Sequence, residues 1–194
     1  VSVDDNTTDA GNTTGSYKTI NAIKVQENDA ETGKKFAYWK DQDGKVLSYS
    51  TACYLYLSKD TTVTAVYVNE SETVEKTAIA EISAISYDEV NKLMNVTATI
   101  DVPDDCIIVS GGLLATNDLT VGSSANSFTY ENAQYKRVLN KELSNLIHYE
   151  YTWTKSKVSY GDIWFLRAYV TYKDANGNIY EVYGDVVTSK SLFS

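Results

Sequence analysis

The sequence is poor in several things that chemistry and membranes require. Among 194 residues there is one histidine, one methionine, one proline and two cysteines. A single proline, Pro103, excludes a proline-rich stalk or linker. Cys53 and Cys106 show no C-x-x-C or Cys/His spacing, which excludes a structural zinc site. Both cysteines adjoin apolar residues (Cys53-Tyr54-Leu55, Cys106-Ile107-Ile108), so two buried thiols are expected, with a disulfide between the halves as the alternative in an oxidising compartment. His148, between Ile147 and Tyr149, is read as a packing or surface residue. No G-x-S-x-G elbow accompanies it, and Gly111-Gly112 and Gly122-Ser123-Ser124 lack the Gly-Lys-Ser/Thr of a phosphate loop; the glycine pair reads as a bulge or turn. There is no run of 18 apolar residues, so no membrane insertion is expected. Basic residues are outnumbered, 17 against 26 acidic, for a net charge of −9. That balance repels phosphate backbones and disfavours nucleic acid as a partner.

What is present points to strands. The chain is 43% hydrophobic, with 16 Tyr and many Val, Ile and Thr, residues that suit a pleated, half-buried surface. It opens on polar sequence, Val1-Ser2-Val3-Asp4-Asp5, the expectation for a mature chain whose leader has gone. Residues 1 to 16 read as a short strand and a loop. Further strands are expected at Tyr17 to Val25, Phe36 to Lys40, Val46 to Ser48, Tyr54 to Leu57 and Thr61 to Val68. The polar stretch Asn69 to Thr73 is the expected domain junction. Beyond it come Ile79 to Ser86, Met94 to Val102 and the apolar run Cys106 to Val109. Between Lys136 and His148, Val138, Leu139, Leu143 and Leu146-Ile147 recur at about helical spacing, which predicts a short helix.

The strongest element is the last hairpin, Trp164 to Tyr172 and Ile179 to Val187. Successive strand side chains alternate faces, so Trp164, Leu166, Ala168, Val170 and Tyr172 form one row. A two-residue Asn176-Gly177 turn would set Val170 opposite Tyr183 and bring the apolar row against Glu181 and Asp185. An odd loop centred on Asn176 instead pairs Tyr172 with Tyr180, Val170 with Val182 and Leu166 with Val186, every pair apolar or aromatic. Burial selects that register. The loop is then Ala175-Asn176-Gly177, a type I turn followed by Gly177 in the left-handed region. Asp41-Gln42-Asp43-Gly44-Lys45 has the same residue order and predicts the same turn, with Trp39 opposite Leu47. Asp174 to Asn178 begins like a calcium loop, but Ile179 stands where glycine is needed and Asp185 where glutamate is.

Gly33, Phe36, Trp39, Asp43-Gly44, Ser48, Tyr54, Leu57, Thr62 and Thr64-Ala65-Val66-Tyr67, in that order, resemble the divergent internalin-type B-repeats (Listeria–Bacteroides repeats) of bacterial surface proteins. There a glycine precedes F-x-x-W, an Asp-Gly turn follows, and the unit ends in T-A-x-Y/F. The resemblance covers about residues 1–70 and departs from the family in its long polar loop at 4–16. It implies a small β-grasp-like module, an extracellular location on the bacterial surface or in the medium, and a spacer or adhesive role. Residues 75–194 resemble, more loosely, an immunoglobulin or fibronectin type III-like β-sandwich, with about seven strands and Trp164 on the penultimate one.

The expectation is therefore an all-β chain of two domains, 1–70 and 75–194. It is expected to be non-enzymatic, monomeric and without cofactor or metal, acting as a spacer or adhesion scaffold toward an extracellular protein or glycan. The alternative is a carbohydrate-binding accessory region of a secreted enzyme, and behind it a glycosidase with unmarked carboxylates. The aromatic residues are the functional lead. Trp39 and Trp164 are expected in the core. Tyr149, Tyr151 and Trp153, alternately spaced, are either a core row or an exposed binding stripe.

Overall fold

A computed structural model of the chain describes residues 2–4, 23–55, 61–139, 142–143, 146–159 and 161–189. The loop expected over 5–16, the first part of the strand expected from Tyr17, Leu57 and the Ser58–Asp60 break lie outside them. The described residues are nearly all β, with a single short helix. They fall into two compact units, Val1–Thr77 with Val102–Asp104, and Ala78–Asp101 with Asp105–Ser194.

Unit 1 contains β1 (Ser2–Asp4), β2 (Ile23–Gln26), β3 (Lys34–Asp41), β4 (Val46–Ser48), β5 (Ala52–Leu55) and β6 (Thr62–Asn69). The main sheet runs β1-β6-β3-β4, with β1 parallel to β6, and β2 pairs with β5. Phe36 and Trp39 are three residues apart, a spacing that a regular strand would send to opposite faces. A bulge at Ala37 inserts one residue between the Phe36–Tyr67 and Tyr38–Val66 pairs, which reverses the parity. Both rings therefore join Val25, Cys53, Leu55, Val63 and Ala65 in one core, with centroids 5.9 Å apart. The indole N–H of Trp39 donates to the Thr51 carbonyl at 3.4 Å. Trp39 stands opposite Ser48, not Leu47, because a second bulge makes Leu47 the extra residue; Leu47 still packs against the core. Within the same unit the Asp104 carboxylate accepts the Ser50 hydroxyl and, at 2.9 Å, the Thr51 N–H.

Unit 2 contains β7 (Ile79–Asp88), β8 (Leu93–Asp101), β9 (Ile107–Thr116), α1 (Leu119–Gly122), β10 (Tyr135–Leu139), β11 (His148–Ser156), β12 (Phe165–Lys173), β13 (Ile179–Tyr183) and β14 (Val187–Thr188). One sheet is ordered β11-β8-β7, the other β10-β9-β12-β13, with β14 also on β12. Met94, Val96, Ala98 and Ile100 alternate along β8 as buried residues, as do Leu166, Ala168 and Val170 along β12. The sheets approach closely at two glycines: a Cβ on Gly111 would lie 2.5 Å from Ile100 Cδ1, and one on Gly184 would lie 2.1 Å from the Ala80 carbonyl oxygen. The other face of β12 is buried as well, because Phe128 and Ala133 cover Phe165 and Tyr169. Cysteines 53 and 106 are both buried, as expected.

Among the described residues, extended segments stand where a helix was expected between Lys136 and His148. Tyr135–Leu139 pairs antiparallel with Ala115–Gly111, Leu143 makes a bridge to Ile108, and β11 starts at His148. The nearly helical spacing of apolar residues arose from two edge segments read as one. Gly111-Gly112, read as a bulge or turn, lies inside β9. A Cβ on Gly112 would be 2.2 Å from the Arg137 carbonyl oxygen, so glycine there lets β10 approach.

The two hairpin turns match their expected form. Gly44 and Gly177 have φ of +86° and +85°. Asp41 N and Asp174 N donate to the Lys45 and Asn178 carbonyls, and Gly44 N and Gly177 N return to Asp41 and Asp174. The pairs Tyr172–Tyr180 and Val170–Val182 form as expected, but Leu166 faces Val187 rather than Val186. The slip falls at Gly184, held against Ala80. Gly177→Ala, forced into the left-handed region, is expected to cost about 1 kcal/mol, read as a lower urea midpoint with unchanged slope.

Candidate functional site

Tyr149, Tyr151, Trp153 and Lys155 share one face of β11, whose opposite residues Glu150, Thr152 and Thr154 are exposed. β11 bonds to β8 in full register, Trp153 against Val96 and Tyr151 against Ala98. Since Val96 and Ala98 are core residues, the row points inward. Trp153 is 7% exposed, while Tyr149 and Tyr151 are half-buried, with ring centroids 6.5 Å apart. Burial pushes the Tyr149 hydroxyl above the usual phenol range, with Tyr151 adding to the rise.

The structure brings Trp153 to residues that the sequence did not group with it. Tyr135 of β10 lies 6.1 Å from the Trp153 ring and 5.5 Å from that of Trp164. The Lys155 ammonium sits 5.5 Å from the Tyr135 centroid and 5.4 Å from that of Trp164. Such cation–π contacts contribute about 0.5–1 kcal/mol at partly exposed sites. The indole nitrogen of Trp164 is buried and makes no hydrogen bond. Lys155 thus lies over aromatic faces that a stacking ligand would need. Of the three candidate binding residues, Trp153 is enclosed, and Tyr149 and Tyr151 retain accessible surface.

A second aromatic group went unread in the sequence. On the outer face of β12, Tyr130 stacks on Tyr169 at 5.2 Å, and Tyr169 meets Tyr183 at 5.1 Å. The Lys136 ammonium lies 4.5 Å from the Tyr130 centroid, and the Arg167 guanidinium 4.6 Å from that of Tyr183. Arg167, 8% exposed, donates to three backbone carbonyls: Gly184 at 2.7 Å and Ala125 and Phe128 at 2.6 Å each. The Tyr183 hydroxyl accepts from Tyr130 N at 3.1 Å and donates to Glu181 at 2.9 Å. Its pKa is pushed up to about 12, chiefly by desolvation. Phe165, Arg167 and Tyr169 alternate on the face opposite Leu166, Ala168 and Val170, and Phe128 and Ala133 from the segment between β9 and β10 cover them.

The loop that begins like a calcium site uses its carboxylate on itself. Asp174 Oδ1 accepts Asn176 N at 2.9 Å and Asn178 N at 2.8 Å, and Oδ2 accepts the Asn178 amide at 2.9 Å. The Asn178 side-chain bond is the main cause that holds the Asp174 carboxyl below its ordinary range. Among the described residues no three or more His, Cys, Asp or Glu cluster as metal ligands would, and no helix is long and apolar enough to cross a membrane.

No family model matches this chain, and no curated protein matches it. Among solved structures, a protein of Bordetella pertussis provisionally called ApaA is similar over 58% of this chain and 92% of its own, at 13% identity and a TM-score of 0.36. A likeness of that size carries no argument about fold or function.

Proposed function

We propose that the chain is a non-catalytic pair of extracellular bacterial surface modules, a B-repeat-like unit followed by a fibronectin type III-like sandwich, serving as a spacer or adhesion scaffold. The observation that carries this reading is what the motif residues do. Phe36, Trp39 and Ala65 fill the first core, and Gly44 makes a turn. The motif is therefore a folding pattern and demands no ligand. In the second unit the first, second and fifth strands form one sheet, and the third, fourth, sixth and seventh the other, with the two-residue eighth also on the sixth. That order supports the fibronectin variant of the seven-stranded sandwich, since the immunoglobulin constant arrangement keeps its fourth strand on the first sheet. Both module types are read by analogy of architecture, which speaks to compartment and shape rather than chemistry.

A carbohydrate-binding accessory role is the second reading, favoured by the accessible surface left on Tyr149 and Tyr151 beside Trp153. The two readings separate in a pull-down on insoluble polysaccharides. A spacer, or an adhesion scaffold for a protein partner, expects no retention of the purified chain. Retention that Tyr151→Ala abolishes without changing the unfolding midpoint supports the accessory role and removes the scaffold reading. Turnover of any glycoside in a broad panel, with a bell-shaped pH–rate profile, would contradict both in favour of a glycosidase.

A further inference from the structure

The chain's one histidine, His148, opens β11 directly opposite Asp101, the last residue of β8. Imidazole Nδ1 lies 3.2 Å from Asp101 Oδ2, and the two side chains are only 10% and 12% exposed. The second carboxylate oxygen, Oδ1, is buried and makes no hydrogen bond. On its other flank Asp101 faces Ile79 of β7. The remaining charged groups on this face are all acidic: Glu81 of β7 and Glu150 of β11 stand on either side of Thr99, one pair along, and Asp88 of β7 lies opposite Leu93 at the far end. The register puts no lysine or arginine on this face of the three strands.

A net negative charge is poorly placed here. One carboxylate oxygen has no donor, the flank is apolar, and the nearest other charges are of the same sign. A proton kept on the pair, on either partner, removes that charge. We propose that Asp101 and His148 form a proton-linked clasp: the folded pair holds a proton that the unfolded chain releases, so the β8–β11 pairing is tighter in mildly acidic than in alkaline solution.

The direction of linkage follows from the carboxyl. Burial, the largest influence, raises Asp101 above its ordinary value, against the weaker lowering by the His148 hydrogen bond and charge, and Glu81 adds to the rise. A raised acid binds more protons folded than unfolded. Its stabilisation is complete below the ordinary carboxyl value of 3.8 and is lost as pH rises through the raised value.

The test is thermal unfolding of wild type, Asp101→Asn and His148→Gln between about pH 4 and 9 at constant ionic strength. Asparagine is neutral and still accepts from the imidazole. The melting temperature of wild type minus that of Asp101→Asn is expected to fall steadily with pH, leaving Asp101→Asn at least as stable as wild type at the alkaline end. Glutamine at 148 keeps a donor without the ability to carry charge, so it is expected to move the pH at which that fall occurs. Parallel wild-type and Asp101→Asn curves, or a difference that grows in favour of wild type with rising pH, would overturn the proposal. An unmoved fall in His148→Gln would overturn the histidine's part in it.

Discussion

Arg167→Met is expected to lower the unfolding free energy by about 3–5 kcal/mol, the largest loss foreseen in the second unit. Methionine keeps much of the volume, so packing is not the main term. The loss comes from three charge-assisted bonds and from the Gly184, Ala125 and Phe128 carbonyls left without this donor. Each such buried group costs about 1–3 kcal/mol when unsatisfied, less where loop movement admits water. Arg167→Lys keeps the charge but replaces a planar fork with a single point and is expected to recover less than half of the loss. Equilibrium urea unfolding measures both. A loss for Arg167→Met below about 1 kcal/mol would mean that the carbonyls find other donors and that the arginine does not hold the 117–134 segment.

Trp39→Ala is expected to cost a similar amount, about 3–5 kcal/mol, by the transfer and cavity terms of a large core side chain. Trp39 is fully buried and touches Phe36, itself edge-on to Tyr67 at 5.9 Å. The loss should appear in native-state hydrogen exchange as reduced protection along β3, β5 and β6, which line that core. Trp39→Phe, retaining a ring, should cost distinctly less. Equal exchange in Trp39→Ala and wild type would contradict the placement of the F-x-x-W motif at the centre of the first unit.

What could be read from the sequence was whatever is decided locally. The turns at Asp41–Lys45 and Asp174–Asn178 follow from one rule, a glycine where φ must be positive, and the aspartate side chains reinforce both turns. The last hairpin's register was legible from Tyr172 to Val170 because a one-residue slip inverts every side chain. It failed at Leu166 because the break at Gly184 is set by Ala80, about a hundred residues away, which no local rule contains. The same holds for Leu47 and Ala37, where bulges set which residue faces the core. Residues 135–147 misled because Lys136 and Arg137 are exposed on an edge strand, so little apolar alternation remains to mark it.

The site was less legible than the fold. Alternation put Tyr149, Tyr151 and Trp153 on one face but left open which way that face turns. The answer depends on Val96 and Ala98 across the strand pair and on Tyr135 from another sheet. Arg167 was unreadable as a structural centre, because an arginine in an apolar run usually extends its head to water. Here its partners are backbone carbonyls from a loop about forty residues earlier in the chain.

The central claim is that the tryptophans fill interiors and offer no platform to a ligand, and collisional quenching of their fluorescence tests it most directly. Trp39, Trp153 and Trp164 are 0%, 7% and 5% exposed. Iodide is therefore expected to quench the native chain far less than the urea-unfolded one, and addition of soluble glycans should leave the emission unchanged. Native quenching close to that of the unfolded chain, or a saturable emission shift with a glycan, would contradict the account.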